Sequence, residues 1–274
     1  MITVAVTGAS GMLGSAVCVK LKNLGIDTIP ISRKKSSEFY SVDNYVNSPH
    51  CDVLIHLSES SDRYWVNQNI LEYEVQAKIN INALVSKKYK KIVYASSALL
   101  YGDSSTKKSA VGDKIYANDG YTRVKKESEK IVTENGGVAL RFTNLYGALM
   151  SPNNVISSIL EQSVKDGPVV LRNASPVRDF LWVDDAAQAI VDAALKNIVG
   201  VLNVGSGIGT SIYDVAKLIL KLSDCDNKEI VSLNDGPHSY LVADIDLTIK
   251  NLSWQPTTSL TLGLGRLINE NKET

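Results

Sequence analysis

Hydrophobic and polar positions follow two different periods along the first half of the chain. Short β-branched or aliphatic runs predict strands buried on both faces, at residues 2–7, 28–32, 52–57, 91–95 and 137–142. Apolar residues at helical spacing predict helices over 12–24 and 121–134, and glycines follow both of them. Strands that alternate with helices in this way predict an α/β fold with a parallel, doubly wound sheet. No strand is predicted between residues 32 and 52.

After residue 146 the pattern changes to shorter elements. Brief strands at 169–171 and 200–204 lie among helices predicted over 155–165, 184–196 and 212–222. This arrangement predicts one large α/β domain over residues 1–145, completed by about 178–204. Residues 146–177 and 205–274 are then expected to form a smaller C-terminal lobe.

Charge and composition narrow the class of protein. Lys plus Arg and Asp plus Glu number 29 each, so no overall field favours nucleic acid or an anionic membrane as a partner. The three cysteines are far apart and lack metal-ligand spacing, which predicts reduced thiols and no metal site. The chain opens on a strand pattern and contains no apolar run of roughly 20 residues. We therefore expect a cytoplasmic protein.

The turn after the first strand carries Gly8, Gly11 and Gly14, three residues apart. The first glycine permits a tight turn, the second a close approach to a pyrophosphate, and the third close packing of the helix on the strand. The following helix directs its N-terminal N–H groups toward the phosphates. The sequence therefore predicts a Rossmann-type dinucleotide site whose contacts come from Gly8, Ser10, Gly11, Met12, Leu13 and Gly14.

The end of the second strand bears on the cofactor ribose. An acid there accepts hydrogen bonds from a 2′-hydroxyl, whereas an arginine pairs with a 2′-phosphate. This chain has Ser32 and Arg33 followed by two lysines, with no acid before Glu38. The pattern favours NADP(H) over NAD(H); the alternative is a solvated basic loop.

Two hydroxyl-bearing segments predict a proton relay. Tyr121 and Lys125 are four residues apart, so both side chains lie on one helix face, where the ammonium favours the ionised phenol. Ser96 and Ser97 follow a buried strand, at the edge where open α/β sheets bind ligands. Each feature has a structural alternative, namely a surface Tyr–Lys pair and hydroxyls that cap the next turn.

In their order along the chain, these motifs resemble the extended short-chain dehydrogenase/reductase family, in its nucleotide-sugar epimerase/dehydratase/reductase branch. The resemblance covers nearly the whole chain, from Thr-Gly-x-x-Gly-x-x-Gly at 7–14 and Tyr-x-x-x-Lys at 121–125 to the segments at 52–57, 95–102, 140–147, 178–185, 203–207 and 253–256. It implies an NAD(P)-dependent enzyme that acts on a nucleotide sugar, with the smaller lobe binding the substrate. It also implies a homodimer, formed through the helices before Lys87 and after Tyr121.

The resemblance assigns roles to individual residues. It implies that Ser97, Tyr121 and Lys125 are catalytic: Tyr121 exchanges the proton, Ser97 hydrogen-bonds the reacting oxygen, and Lys125 binds the nicotinamide ribose. It places Leu57 and Ser96 against the cofactor. For substrate binding it adds Asn144, Asn154 and Arg178 to Ser97. The alternative for Arg178 is a structural ion pair with Asp179.

Departures from the family narrow the expected reaction. Sugar 4,6-dehydratases carry an Asp-Glu pair where this chain has Ala98 and Leu99, so we do not expect elimination of water. Fucose-pathway epimerase/reductases carry a cysteine at the position of Ala98, so we do not expect C3/C5 epimerisation by that residue. We expect NADPH-dependent reduction of a nucleotide-linked 4-keto-6-deoxy sugar, with Tyr121 as the acid. The alternatives are a nucleotide-sugar 4-epimerase with tightly bound NAD, a reductase of the aldehyde- or flavonol-reducing branch of the same family, and a non-catalytic dinucleotide sensor.

Overall fold

The structure is a computed structural model that describes residues 2–237 and 239–273. Its strands are β1 (Thr3–Thr7), β2 (Asp27–Ser32), β3 (Tyr40–Ser41), β4 (Val53–His56), β5 (Lys91–Ser97), β6 (Val138–Phe142), β7 (Asn144–Tyr146), β8 (Val169–Leu171), β9 (Val177–Trp182), β10 (Gly200–Val204), β11 (Gly209–Ser211), β12 (Ile230–Ser232) and β13 (Tyr240–Leu241). Its α-helices are α1 (Met12–Asn23), α2 (Arg63–Gln68), α3 (Ile70–Ser86), α4 (Gly120–Glu134), α5 (Val155–Ser163), α6 (Val183–Leu195), α7 (Ile212–Leu222), α8 (Asp246–Leu252) and α9 (Leu260–Glu273). Among the described helices, none has the length and apolar character needed to cross a membrane.

Seven parallel strands form the main sheet, in the order β10-β6-β5-β4-β1-β2-β3. Helix α1 connects β1 to β2, α3 connects β4 to β5, and α4 connects β5 to β6, so the predicted doubly wound Rossmann-type fold is confirmed. The register pairs Thr7 with His56 and His56 with Tyr94, which brings the ends of β1, β4 and β5 to one edge. This carboxyl edge of the sheet carries the predicted site.

The segment between β2 and β4 differs from the prediction, which placed no strand there. β3 consists of Tyr40 and Ser41, both of them exposed, so it carries no apolar pattern to reveal it. A single 3₁₀ turn at Tyr45–Asn47 then leads to β4. The crossover on this side of the sheet is therefore made without an α-helix.

Alternating side chains of the central strands fill two cores, one on each face of the main sheet. On one face Val4, Val6 and Ile55 lie in the same core as Ile190 of α6. On the other face Ala5 and Leu54 lie in a core with Ile81 and Leu84 of α3. Burial on both faces explains why these strands are continuous apolar runs rather than alternating ones.

A second sheet lies after the end of β6, where β9 pairs with β7, β11 and β13. A separate core built around Tyr146, Ile156 and Trp182 supports it. Within residues 178–204, β9 belongs to this second sheet, whereas β10 joins the main sheet and α6 lies in the core of the main sheet. The division into a dinucleotide domain and a substrate lobe stays a prediction.

Candidate active site at the carboxyl edge of the sheet

The turn between β1 and α1 is closed by glycines that no larger residue can replace without movement. Gly8 has a φ of +73°, and a Cβ there would lie 2.9 Å from the carbonyl oxygen of Leu57. A Cβ at Gly14 would lie 2.1 Å from the carbonyl oxygen of Gly8. The Gly11 N–H donates to that same oxygen at 3.0 Å, which tightens the turn further.

The N-terminus of α1 fits the phosphates of a dinucleotide. Gly11 is the N-cap residue and supplies no side-chain hydrogen bond, so the first-turn N–H groups are not capped by a side chain. Gly11 is exposed, and the predicted contact residues Met12 and Leu13 form the start of the helix. Uncapped N–H groups at an accessible helix N-terminus are what a pyrophosphate binds.

The end of β2 is joined to the glycine turn by hydroxyl groups. Ser32 is buried, its Oγ lies 2.8 Å from Ser10 Oγ, and it accepts the Lys34 N–H at 3.0 Å. Arg33 is exposed, with its guanidinium 5.8 Å from the centre of the Tyr45 ring. Ser32 therefore shapes the backbone, while Arg33 is accessible to an anionic group.

The two serines at the end of β5 make different hydrogen bonds. Ser97 Oγ accepts the Leu99 N–H at 3.2 Å and so caps the 3₁₀ turn Ala98–Tyr101, which was the structural alternative for this residue. Ser96 instead donates to Glu129 of α4 at 2.7 Å. Both serines are more than nine-tenths buried at the sheet edge.

Helix α4 is fixed at its start, which positions Tyr121. Asp119 and Thr122 form a capping box, and the Tyr121 N–H donates to Asn67 Oδ1 at 2.9 Å. One turn later, Lys125 Nζ donates to the carbonyl oxygen of Ala95 in β5 at 3.0 Å. The ammonium lies 5.9 Å from the centre of the Tyr121 ring. The structure thus brings the Tyr–Lys pair against the strand that ends at Ser97.

A buried glutamate next to Lys125 was not predicted from the sequence. Glu59 lies three residues beyond β4, and its Oε2 is 3.2 Å from Lys125 Nζ. Its Oε1 accepts the Ser128 hydroxyl at 2.6 Å, and its Oε2 also accepts the Tyr94 hydroxyl. Burial raises the pKa of Tyr94 well above its usual value, so that phenol keeps its proton and donates it. The sequence could have indicated Glu59, because it is an acid just after a buried strand, at the edge of the sheet where ligands bind.

A second buried ion pair lies below the serine pair. Arg141 of β6 contacts Glu129 through Nε at 2.9 Å and Nη2 at 2.5 Å, and both side chains are more than nine-tenths buried. Arg141 also donates to the Tyr101 hydroxyl at 2.7 Å, which in turn donates to Asn203. This network holds Glu129, the residue to which Ser96 donates, in place. The sequence indicated it only through Arg141, a charged residue inside a buried strand.

Three of the predicted substrate-binding residues lie on separate elements after β6. Asn144 of β7 donates to the carbonyl oxygen of Asp179 at 3.3 Å, and Asn154 caps α5 by accepting the Ile156 N–H at 2.9 Å. Arg178 of β9 contacts Asp103 at 3.1 Å and Ser239 at 2.6 Å. Their role toward a substrate stays a prediction.

The alternative pairing of Arg178 with Asp179 is wrong. Adjacent residues of a strand point to opposite faces, so the two side chains diverge. Asp179 turns inward, where it accepts the N–H groups of Ser206 at 2.7 Å and Gly207 at 3.0 Å. Arg178 pairs with Asp103 instead.

Comparison with known proteins agrees with this geometry. Residues 4–205 match the model of the NAD dependent epimerase/dehydratase family. The chain belongs to this family. The predicted resemblance to extended short-chain dehydrogenase/reductases is therefore confirmed, as is the prediction of an enzyme of that type.

Individual relatives match nearly the full length of the chain. It is 27% identical to a putative UDP-glucose 4-epimerase of Methanocaldococcus jannaschii, over 96% of each chain. It is 24% identical to the dTDP-4-dehydro-6-deoxyglucose reductase of Escherichia coli, over 97% of this chain and 96% of that one. The fold matches the crystal structure of a UDP-glucose 4-epimerase from Thermotoga maritima, with a TM-score of 0.88, 20% identity and 99% coverage of both chains.

Proposed function

We propose that this protein is an NADPH-dependent reductase of a nucleotide-linked 4-keto-6-deoxy sugar. The observation that carries the choice of cofactor is the end of β2, where Arg33 is accessible beside the glycine turn and Ser32 stands where an acid would bind a 2′-hydroxyl. An exposed guanidinium suits a 2′-phosphate because it can donate two parallel hydrogen bonds. NADPH use favours a net reduction over an epimerisation. A reductase releases the oxidised cofactor after each turnover and binds fresh NADPH, whereas a 4-epimerase keeps its NAD bound.

Bound NADPH would supply the hydride to the carbonyl carbon of the sugar. Tyr121 would donate its phenolic proton to the carbonyl oxygen, so that the ketone becomes an alcohol. Ser97 would donate a hydrogen bond to the same oxygen and favour the negative charge that develops there. Lys125, fixed against Ala95, would hold the ribose next to Tyr121 and stabilise the phenolate left after proton transfer.

The absence of an acid after Ser97 argues against elimination of water. Ala98 is fully buried and Leu99 follows it, and neither side chain can accept or donate a proton. Asn144, Asn154 and Arg178 are proposed to bind the nucleotide part of the substrate, with Arg178 on the diphosphate. Arg178 would then exchange its hydrogen bond to Asp103 for one to a phosphate oxygen.

A nucleotide-sugar 4-epimerase is the second candidate. The observation that favours it is the 27% identity, over nearly the full length, to a putative UDP-glucose 4-epimerase. The same Tyr121 could remove a proton from the sugar 4-hydroxyl and later return it, provided that the cofactor stays bound between the two half-reactions.

The nucleotide retained by the purified protein distinguishes the two candidates. The protein is denatured, and the released nucleotide is identified and quantified by chromatography. A reductase should release little nucleotide, and that nucleotide should be NADP(H). It should also oxidise NADPH when a panel of nucleotide-linked 4-keto-6-deoxy sugars is added, whereas Tyr121→Phe should not. Stoichiometric NAD, together with no NADPH oxidation, would favour the epimerase.

We also propose that two copies associate through α3 and α4. Leu71, Val75 and Ile79 of α3 are exposed at intervals of four residues, so they form an apolar stripe on one helix face. α3 precedes Lys87 and α4 contains Tyr121, the region through which the family resemblance implies a dimer.

A further inference from the structure

The catalytic lysine of the proposed reaction is not isolated, because its ammonium lies against a carboxylate. We propose that Glu59 is a positioning residue that keeps Lys125 charged and aimed at the cofactor ribose. The inference rests on the proposed dinucleotide-dependent function, and it adds a residue from the segment after β4 to a relay assembled from β5 and α4. Glu59 Oε2 lies 3.2 Å from Lys125 Nζ.

Burial is what makes the partner necessary. The side chains of Lys125 and Glu59 are 6% and 7% exposed. An ammonium at such a position without a counter-charge is costly, and it avoids the cost by releasing its proton. A neutral amine would no longer favour phenolate at Tyr121. The carboxylate of Glu59 lies 3.2 Å from the Lys125 ammonium and supplies this counter-charge.

The carboxylate is itself held in place. Ser128, one helical turn after Lys125 on α4, donates to Oε1 at 2.6 Å. The Tyr94 hydroxyl of β5 donates to Oε2, the oxygen that faces Lys125. Because three donors from β5 and α4 converge on it, Glu59 fixes the segment after β4 to both elements. That segment borders the glycine turn, since Leu57 donates its N–H to Thr7 Oγ1 at 3.1 Å.

The same contacts orient the lysine. An ammonium has three N–H donors. One is directed to the carbonyl oxygen of Ala95 at 3.0 Å, and a second is directed to Glu59. The third N–H is then fixed in direction, so it is available to a ribose hydroxyl without further ordering of the side chain. Glu59 thus acts on the cofactor through Lys125.

The test uses Glu59→Gln, Glu59→Asp, Lys125→Met and the double variant Glu59→Gln/Lys125→Met. Glu127→Gln is the matched control, since it removes one negative charge from α4 at an exposed pair with Lys78. Two quantities are measured: NADPH affinity by fluorescence titration across a pH series, and stability by urea unfolding. Neither measurement requires the sugar substrate.

If Glu59 acts through Lys125, Glu59→Gln should weaken NADPH binding by about tenfold near neutral pH, which corresponds to about 1.4 kcal/mol. Its affinity should also begin to fall at a lower pH than that of the wild type, because the unpaired ammonium loses its proton earlier. Glu59→Asp should recover part of both effects. On the Lys125→Met background, Glu59→Gln should cause no further loss of affinity and should restore unfolding stability.

The inference is overturned if Glu59→Gln matches Glu127→Gln in affinity and pH dependence, or if its effect is the same with and without Lys125. A uniform loss of affinity at every pH, with no recovery in Glu59→Asp, would also overturn it, because that pattern indicates a purely structural role. Failure of the proposed function looks different: the wild type itself would not bind NADPH or NADH.

Discussion

Gly14 packs against Gly8 so closely that a Cβ on Gly14 would lie 2.1 Å from the Gly8 carbonyl oxygen. The contact joins the first turn of α1 to the end of β1 and closes the turn on which a dinucleotide would bind. Backbone on both sides leaves no flexible side chain to move aside.

Gly14→Ala should therefore open the turn, with a loss of about 1–3 kcal/mol in the free energy of unfolding. NADPH binding should be lost or strongly weakened, as measured by fluorescence titration. Gly265→Ala is the control, because a Cβ there would meet no atom within 4 Å apart from the backbone of its own helix, and alanine favours the helix. Wild-type affinity in Gly14→Ala would show that the turn does not bind the cofactor.

Tyr121→Phe should reduce turnover by about 10²–10⁴-fold, because it removes the proton donor and little else. NADPH affinity should change little, since Lys125 and the glycine turn are intact. Tyr213→Phe, at an exposed position on α7, is the matched control and should leave turnover unchanged. Full activity in Tyr121→Phe would remove this residue from the mechanism; absence of turnover in the wild type with every sugar tested would favour a dinucleotide sensor.

Arg33→Ser should lower NADPH affinity by about 10- to 100-fold, the range expected for losing charge-assisted hydrogen bonds to a phosphate. NADH affinity should stay the same, since that molecule lacks the 2′-phosphate. Lys22→Ser is the control, because it removes an equal charge from an exposed position in the last turn of α1, at the end of that helix away from the glycine turn. A parallel loss for both nucleotides would contradict the proposed NADP(H) preference.

Acid should destabilise the protein through His56. Burial lowers the pKa of His56 from 6.5 to about 4. Between these pH values the imidazole of His56 is protonated in the unfolded chain and neutral in the folded chain. The free energy of unfolding therefore falls as the pH drops from 6.5 toward 4. The total loss should be about 3 kcal/mol.

Urea unfolding at several pH values checks this contribution. His56→Asn should flatten the decline between pH 6.5 and 4, whereas His50→Asn, at an exposed position, should leave the slope as it is. An unchanged slope in His56→Asn would show that other groups are responsible.

Val75→Glu should prevent the proposed dimer, because it places a charge in the middle of the apolar stripe on α3. The molar mass by light scattering should fall from that of two chains to that of one. Leu262→Glu, at an exposed position of α9, should not change it. A monomeric wild type would refute the proposal at once.

Local patterns were sufficient for most of the fold. The strands at 169–171 and 200–204 and the helix at 212–222 have the predicted bounds, because each is an apolar segment with clear ends. β3 was missed because its two exposed residues carry no apolar period. Its place is set by pairing with β2 rather than by its own sequence.

In the site, motifs revealed the residues but not their partners. Tyr121 and Lys125 are visible as neighbours on one helix, whereas Glu59 meets Lys125 only because β4 and β5 are adjacent in the sheet. The partner of Arg178 is Asp103, which lies in the loop after β5. Such contacts depend on strand order and packing, which a single sequence does not encode locally.

The hydroxyl contact between Ser10 and Ser32 bears on the redesign of cofactor selectivity. At 2.8 Å it couples the phosphate-binding turn to the position that would face the ribose. An acid introduced at position 32 alone, to favour NAD, would replace a small hydroxyl with a larger, charged group that can only accept from Ser10, and so would disturb the turn that every dinucleotide needs. Protein engineers should therefore vary positions 10 and 32 together.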